Sequence, residues 1–196
     1  MQLALFDFDH TITTTDTYSG FLRRVATPAQ RASAWRTMGP WVAGYRLRLV
    51  SAPGVRARAT RLVFAGRSMD EMALHGVPYA SDVLPCLERP EMMRRIDWHQ
   101  AQDHTVVVVS ASLDLYLQPW CARRGLEVIC NGLEHRDGQL TGRYARADCG
   151  PHKAHAIHAR YDLSRFERIH AYGDSREDLA MLALAHERWY RGRRIA

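Results

Sequence analysis

Lysine is almost missing from this chain. Of its 27 Lys and Arg residues only Lys153 is a lysine. A protein that uses arginine wherever a cation is needed marks position 153 as one where a planar guanidinium does not serve. A compact ammonium on a flexible stem can touch several anionic oxygens as a point charge. Paired cysteines are missing as well: Cys86, Cys121, Cys130 and Cys149 form no CxxC, which excludes zinc-ribbon and dithiol redox motifs. With no basic, leader-like segment ahead of the first apolar run, free thiols and a cytoplasmic location are expected. No apolar stretch is long enough to cross a bilayer. The segment from Trp41 to Val50 is interrupted by Arg46 and Arg48 and reads as a helix, so no stable membrane insertion is expected. The formal charge of +6 comes from scattered arginines, without a basic block, zinc-finger spacing or basic zipper, so nucleic acid is not an expected partner. The excess reads as a solvated surface biased toward anionic ligands. No GxxxxGK[ST] occurs, which excludes a P-loop.

What is present is sharpest at the start. Ala4-Leu5-Phe6 leads into Asp7-Phe8-Asp9-His10-Thr11, a buried-strand pattern ending in two carboxylates two positions apart. Carboxyl ends of parallel strands are where open α/β sheets bind ligands. Two carboxylates this close repel unless a cation or a shared proton offsets the charge, and a divalent metal with an acid–base role for one carboxylate is the economical explanation.

The rest of the chain alternates. A strand is predicted over 3–8. A helical pattern follows from Asp16 to about Gly76, with breaks expected at Thr27-Pro28, Gly39-Pro40 and Ala52-Pro53-Gly54, and with Ser68 as an N-cap before Asp70 and Glu71. A helix is predicted from Pro90 to Gln102. The β-branched run Thr105–Val109 ends in Ser110-Ala111-Ser112 and suits a strand buried on both faces. A helix over Leu113–Arg124 closes at Gly125, and Glu127–Ile129 is a short strand. Asp137-Gly138 signals a hairpin between Leu133–His135 and Leu140–Tyr144. A helix from Lys153 to Tyr161, a strand at Ile169–Tyr172, and Gly173-Asp174-Ser175 opening a last helix complete the pattern. The fold class expected is α/β: a doubly wound parallel, Rossmann-like sheet, with residues 1–14 and 78–196 forming the core and 15–77 a helical cap inserted after the first strand. Three strand ends, carrying Asp7 and Asp9, Ser110, and Asp174, converge with Lys153 on one edge. That set holds a nucleophile, a proton donor, a hydroxyl, a cation and metal ligands, as phosphoryl transfer through an aspartyl-phosphate requires.

These residues resemble the haloacid dehalogenase superfamily phosphatases. Asp7-Phe8-Asp9-His10-Thr11 matches DxDxT, Ser110 the second motif, Lys153 the third and Gly173-Asp174-Ser175-Arg176-Glu177-Asp178 the fourth, GDSxxD. All four fall in order, and the helical insertion between the first two places the chain with the phosphoserine-phosphatase-like branch. The resemblance implies that Asp7 is nucleophile and Mg²⁺ ligand. Asp9 would be general acid, then base, and would bind Mg²⁺ through its carbonyl. Ser110, Lys153 and Thr11 would contact the phosphoryl group, Asp174 would ligate the metal, and Asp178 would support it from outside. Mg²⁺ is the expected cofactor and a small phosphomonoester the expected substrate. The departure is His10, where many members carry Gly or Ser.

Specificity is expected from the cap. The branch uses an acidic residue after the first motif for the substrate's amino group and a cap Arg for its carboxylate. Asp16 occupies the first place, one methylene shorter than the usual Glu, and a helix-capping role is equally open to it. Arg61, then Arg58, stand nearest the second. Trp35, Trp41, Tyr45 and Phe64 also admit a lipid-like ester, as in the related phosphatidylglycerophosphate phosphatases. From another class, a phospho-accepting receiver domain would use a strand-end Asp, a hydroxyl and a Lys, but has no need for Asp9. His152, His155 and His158 recur every three residues; without an acidic or Cys partner they read as a helix face rather than a metal stripe.

Overall fold

A computed structural model describes all 196 residues. Eight strands form in chain order: β1 Gln2–Phe6, β2 Thr105–Leu113, β3 Glu127–Asn131, β4 Leu133–Arg136, β5 Gln139–Tyr144, β6 Arg168–Gly173, β7 Glu187–Tyr190 and β8 Arg193–Ile195. The α-helices are α1 Thr17–Val25, α2 Pro28–Arg46, α3 Ala52–Phe64, α4 Met69–Pro78, α5 Pro90–Ala101, α6 Asp114–Ala122, α7 Cys149–Arg160 and the single turn α8 Leu179–Leu182. Six strands build one sheet in the order β3-β2-β1-β6-β7-β8. All neighbours are parallel except the terminal β7–β8 pair. This is the doubly wound α/β core expected from the alternating pattern.

Strand periodicity splits the core in two. Ala4, Phe6, Val106, Val108 and Tyr172 point to one face, into a cluster shared with α5, α6 and the insertion. Leu3, Leu5, Val107, Val109, Ile169 and Ala171 point to the other, against α7 and α8. Central strands buried on both faces carry no polar alternation, which is why the Val106–Val109 run is uninterrupted. On the first face, burial holds His99 down at about 3 and His170 at about 4, so both imidazoles are neutral.

The helical insertion is built differently. Capping fixes its turns: Asp16 accepts from Ser19 N, Thr27 and Gln30 cap each other, and Ser51 and Ser68 accept from Gly54 N and Glu71 N. α2 nevertheless buries no residue. The break expected at Gly39-Pro40 is absent, whereas those at Thr27-Pro28 and Ala52-Pro53-Gly54 are where α2 and α3 begin. α2 runs through Gly39-Pro40 because residues 36 and 40 lie on its exposed side, where water can serve the carbonyl that the proline leaves unpaired. Ala52-Pro53-Gly54 is the first turn of α3, where a proline lacks only a donor the helix does not use. The β4–β5 hairpin turns at Asp137 and Gly138, with φ of +48° and +76°, as its sequence predicts. It hydrogen-bonds to the α3–α4 connection through Gly66 N to Leu140 O, Leu140 N to Arg67 O and Met69 N to Gly138 O. Gly142, at φ +76°, lets the hairpin approach α3 closely, since a Cβ there would stand 2.9 Å from Arg61 Cα. The C-terminal β7–β8 hairpin was not evident in the sequence.

Candidate active site

The sheet order places the chain reversal at β1, whose neighbours β2 and β6 lie on opposite sides, and the crevice at their carboxyl ends is where such sheets bind ligands. Asp7 continues the ladder one residue beyond β1, its N–H donating to Tyr172 O at 2.9 Å. A wide helical turn, Phe8–Ile12, follows, interrupted at Asp9 and at His10, which takes φ +61°. A histidine in the left-handed region carries a local strain that a glycine would not. The turn swings Asp9 back over the strand ends.

A cavity of about 460 Å³ opens there, lined by Asp7, Asp9, Ser110, Lys153 and Asp174, with Asp16 and His10 at its rim. Lys153 is buried on α7, and its Nζ donates to Asp7 Oδ1 at 2.5 Å and to Asp178 Oδ1 at 2.6 Å. Asp178 Oδ2 accepts from Asp174 N at 3.0 Å and from Ser175 N and Oγ at 2.8 Å each. Asp178 is thus saturated and braces both the lysine and the Asp174 loop. Gly173 makes this possible, because a Cβ there would meet Asp178 Cβ at 2.5 Å.

The electrostatics follow from burial. Desolvation pushes the Asp7 carboxyl up to about 7, against the pull of Lys153. Burial also raises Asp9, despite hydrogen bonds from Ser112 and Thr17, and Asp174, helped by the neighbouring Asp178 charge. Desolvation works against the Lys153 ammonium, but Asp7 and Asp178 outweigh it and hold the group charged well above the usual lysine range. Asp178 also loses solvation, yet Lys153 and the Ser175 donors keep it below the usual carboxylate range.

Asp9 is held by groups the sequence did not single out. Its Oδ1 accepts from Thr17 N at 2.7 Å and Thr17 Oγ1 at 2.5 Å, and its Oδ2 from Ser112 Oγ at 2.5 Å. Ser112 N in turn donates to Ser110 Oγ at 3.1 Å. Asn131, the only asparagine in the chain, donates to Ala111 O and Asp148 Oδ1 and accepts from Cys149 N, tying the β2 end to the start of α7. Its singularity was a signal of the same kind as that of Lys153.

Three expected residues sit elsewhere. Thr11 lines a neighbouring recess with Arg89, Arg95 and Arg191 rather than the cavity, because the wide turn carries it past the strand ends; its buried hydroxyl has no partner. Arg61 and Arg58 lie in a groove against the β4–β5 hairpin. Helical periodicity is the reason: Ala52, Val55, Arg56 and Ala59 share the cavity side of α3, and Arg58 and Arg61 fall outside that stripe. The arginine of α3 at the cavity is Arg56. It donates to Asp148 Oδ2 at 3.0 Å through Nε and to Glu177 Oε1 at 2.9 Å through Nη2. Asp16 lines the cavity and also accepts from Ser19 N and Oγ, at 3.0 and 2.6 Å. Trp35 is 83% exposed and, like Trp41, does not line the cavity; Met38, Val42 and Tyr45 form its apolar wall.

Known proteins share this fold. The chain is 29% identical over 203 residues to Protein CicA of Caulobacter vibrioides, covering 96% of this chain and 85% of that one. A Bordetella pertussis Tohama I protein of unknown function superimposes with a TM-score of 0.82 at 23% identity, over 95% of this chain and 88% of that one. A substrate-bound phosphoserine phosphatase superimposes with a TM-score of 0.66 at 16% identity, over 96% and 84%. The family model described as haloacid dehalogenase-like hydrolase matches residues 4–183, and the chain belongs to that family.

Proposed function

We propose that this hydrolase is a divalent-metal-dependent phosphomonoesterase that works through an aspartyl-phosphate on Asp7. The observation behind this reading is the pairing of a buried Asp7 with Lys153 on the wall of a cavity that Asp9, Ser110 and Asp174 also face.

The donor set suits Mg²⁺. Carboxylate oxygens of Asp7, Asp174 and Asp178 lie within 4.8 Å of one another. Asp178 is consumed by Lys153 and the Ser175 donors, whereas Asp174 makes no side-chain hydrogen bond to the protein and Asp7 Oδ2 makes none either. Asp7 and Asp174, with the Asp9 carbonyl, would hold the ion; hard oxygen ligands and retained waters are its preference. Bound there, it would neutralise charge on the phosphoryl oxygens.

The residues divide the work. Asp7 attacks phosphorus as the ester oxygen departs, and Asp9, whose burial favours a proton, gives that proton to the leaving alkoxide. Thr17 and Ser112 fix the Asp9 carboxyl for this transfer. Lys153 balances the charge that gathers on Asp7 and the phosphoryl group, and Ser110 donates to a phosphoryl oxygen. Asp9, now ionised, takes a proton from water, which attacks phosphorus and releases inorganic phosphate with Asp7 restored. A receiver domain needs no such fixed second carboxyl.

The substrate enters beneath α2 and α3. A small amino-acid phosphate would meet Asp16, Glu177 and Arg56. A second reading rests on one observation: the cavity wall of Met38, Val42, Tyr45 and Val55 runs onto the exposed apolar residues of α2 and the turn after it. Leu47 and Leu49 there are 70% and 79% exposed. That continuity favours an ester with an apolar body. A panel of phosphoserine, sugar phosphates, aryl phosphate and a long-chain alkyl phosphate, assayed with Mg²⁺ and with EDTA, tests both. Turnover that is lost in EDTA and restored by Mg²⁺ is expected; full activity in EDTA would overturn the reading.

A further inference from the structure

Away from the cavity, three histidines meet on the α5 side of the sheet. His99 is fully buried on α5, His104 is half-buried on the α5–β2 connection, and His170 is buried on β6. One ring nitrogen from each lies within 4.8 Å of the other two. His99 Nδ1 stands 2.8 Å from His104 Nδ1, and His99 Nε2 stands 2.9 Å from Tyr172 Oη. His170 Nε2 stands 2.9 Å from Gln2 Oε1. Its other nitrogen, Nδ1, is buried with no hydrogen-bond partner.

That orphan decides the tautomer. The oxygen of Gln2 only accepts, so His170 Nε2 carries the ring proton and Nδ1 keeps a bare, unpartnered lone pair. A buried acceptor without a partner costs free energy that a native fold ordinarily avoids. The facing Nδ1 atoms of His99 and His104 share one proton in a hydrogen bond, one ring donating and the other accepting.

We propose that His99, His104 and His170 form a second metal site, distinct from the carboxylate centre, that binds a borderline divalent transition ion such as Zn²⁺ through three Nδ1 atoms and leaves one position for water.

The chemistry of the donors selects the ion. Three imidazoles without a carboxylate suit Zn²⁺, Ni²⁺ or Cu²⁺ and offer nothing to Mg²⁺ or Ca²⁺. Zn–N bonds of about 2.1 Å in a tetrahedral arrangement separate the nitrogens by roughly 3.4 Å, so the 2.8 Å His99–His104 pair opens slightly and the His170 nitrogen closes in. Binding needs no net proton loss. His99 moves its proton from Nδ1 to Nε2, and the Tyr172 hydroxyl, which can donate or accept, turns to receive it. Tyr172 and Gln2 then hold the outer nitrogens of two ligands, the usual support of a histidine metal site. Arg95 is the opposing charge nearby. It stacks over Trp98 and Trp189 at 5.7 and 5.5 Å, and its repulsion weakens the site without occupying it. His104 gives the cluster its open side. The ion would tie α5, the start of β2 and β6 together beneath Tyr172.

Co²⁺ is the probe, because a four-coordinate site with nitrogen ligands gives it intense visible absorption bands. Full-length protein is stripped with chelator, saturated with Mg²⁺ and titrated with Co²⁺. One Co²⁺ per chain, with those bands, is expected in the wild type. Asp174→Asn and the double variant His155→Ala/His158→Ala should retain it, which separates the cluster from the carboxylate centre and from the α7 histidine face. His104→Ala, on the rim and safe for folding, and His170→Ala should each weaken Co²⁺ binding at least tenfold, and Zn²⁺ should raise the Tm of the wild type but not of His104→Ala. Phosphatase activity with Mg²⁺ should be unchanged in His104→Ala. Absence of Co²⁺ binding to the wild type, or undiminished binding and unchanged bands in His104→Ala with a normal circular dichroism spectrum, would overturn the site.

Discussion

The carboxyl edge of the sheet and α2, the exposed helix of the insertion above it, are held by opposite means. At the edge, Lys153, Asp7 and Asp178 are buried, and Lys153 and Asp178 are paired on every side. In the insertion, α2 buries nothing, and the charged tie of α3 to the edge is Arg56, through Asp148 and Glu177. A buried ionic network of this kind tolerates little change of geometry, because removing one partner strands the others. An exposed helix with an apolar underside can shift and re-pack. The proposed function puts chemistry at the edge and selection of the ester in the insertion, and each part of that proposal can be attacked separately.

The strongest blow falls on the edge. Asp7→Asn should reduce turnover to background on every ester, since an amide does not form the acyl phosphate, and acid quenching with labelled substrate should trap no phosphoenzyme. Trapping label on Asp9, or retention of turnover, would move the nucleophile.

Next comes the lysine. Lys153→Arg keeps the charge but puts a planar fork where Asp7 and Asp178 approach a point donor at 2.5 and 2.6 Å. A loss of about 10²–10³-fold in kcat, the scale of removing one preorganised charge donor, is expected with little change in KM. Lys153→Ala leaves two carboxylates buried together and should also cost about 3–5 kcal/mol of stability, read as a fall in Tm. Wild-type kcat/KM in Lys153→Arg would reduce the residue to charge balance.

Arg56 tests the tie between the two regions. Arg56→Ala frees Asp148 and Glu177 beside the cavity and removes charge-assisted hydrogen bonds, each on the order of 1.5–3 kcal/mol. A drop of about tenfold to a hundredfold in kcat/KM is expected, carried by KM, because the residue anchors the insertion rather than the reacting atoms. A pure kcat effect would place Arg56 in the chemistry itself.

These contrasts also explain what the sequence made legible. Lys153, Asp7 and Asp174 stood out because their tasks admit few residue types and because strand ends gather them by topology. The doubly wound sheet followed from the β-branched run at Val106–Val109 and the alternation around it. Ser112 and Thr17 did not stand out as functional, since hydroxyls serve many local roles and only the folded backbone brings them to Asp9; Asn131 stood out only by being the chain's one asparagine, which does not say that it meets Asp148. Arg61 and Arg58 were singled out and Arg56 was not, because the sequence alone does not say which stripe of an exposed, arginine-rich helix faces inward. Thr11 failed for a similar reason, because the left-handed His10 redirects the chain just before it. The β7–β8 hairpin was obscured by its short strands, Glu187–Tyr190 and Arg193–Ile195, in which arginines interrupt the apolar pattern at an edge where solvent accepts them.

The smallest expected effect concerns Asp16, and it decides what the insertion selects. The residue caps α1 through Ser19 N and also faces the cavity, so its loss has a structural part and a recognition part that must be separated. Asp16→Ala should cost about 0.5–2 kcal/mol as a lost N-cap, visible as a small fall in Tm. Asp16→Asn keeps the capping oxygen and removes the charge, so it should restore most of that stability. If the substrate carries an ammonium group, Asp16→Asn should still raise KM for phosphoserine severalfold while leaving an aryl phosphate untouched, because a contact remote from phosphorus acts only on an ester that reaches it. If the substrate carries an apolar body, Asp16→Asn should be silent and Val42→Asp should instead raise KM for the long-chain alkyl phosphate, by placing a charge on the apolar wall it would lie against. Equal effects of Asp16→Asn on phosphoserine and aryl phosphate would remove the ammonium from consideration and leave the apolar wall as the selective surface.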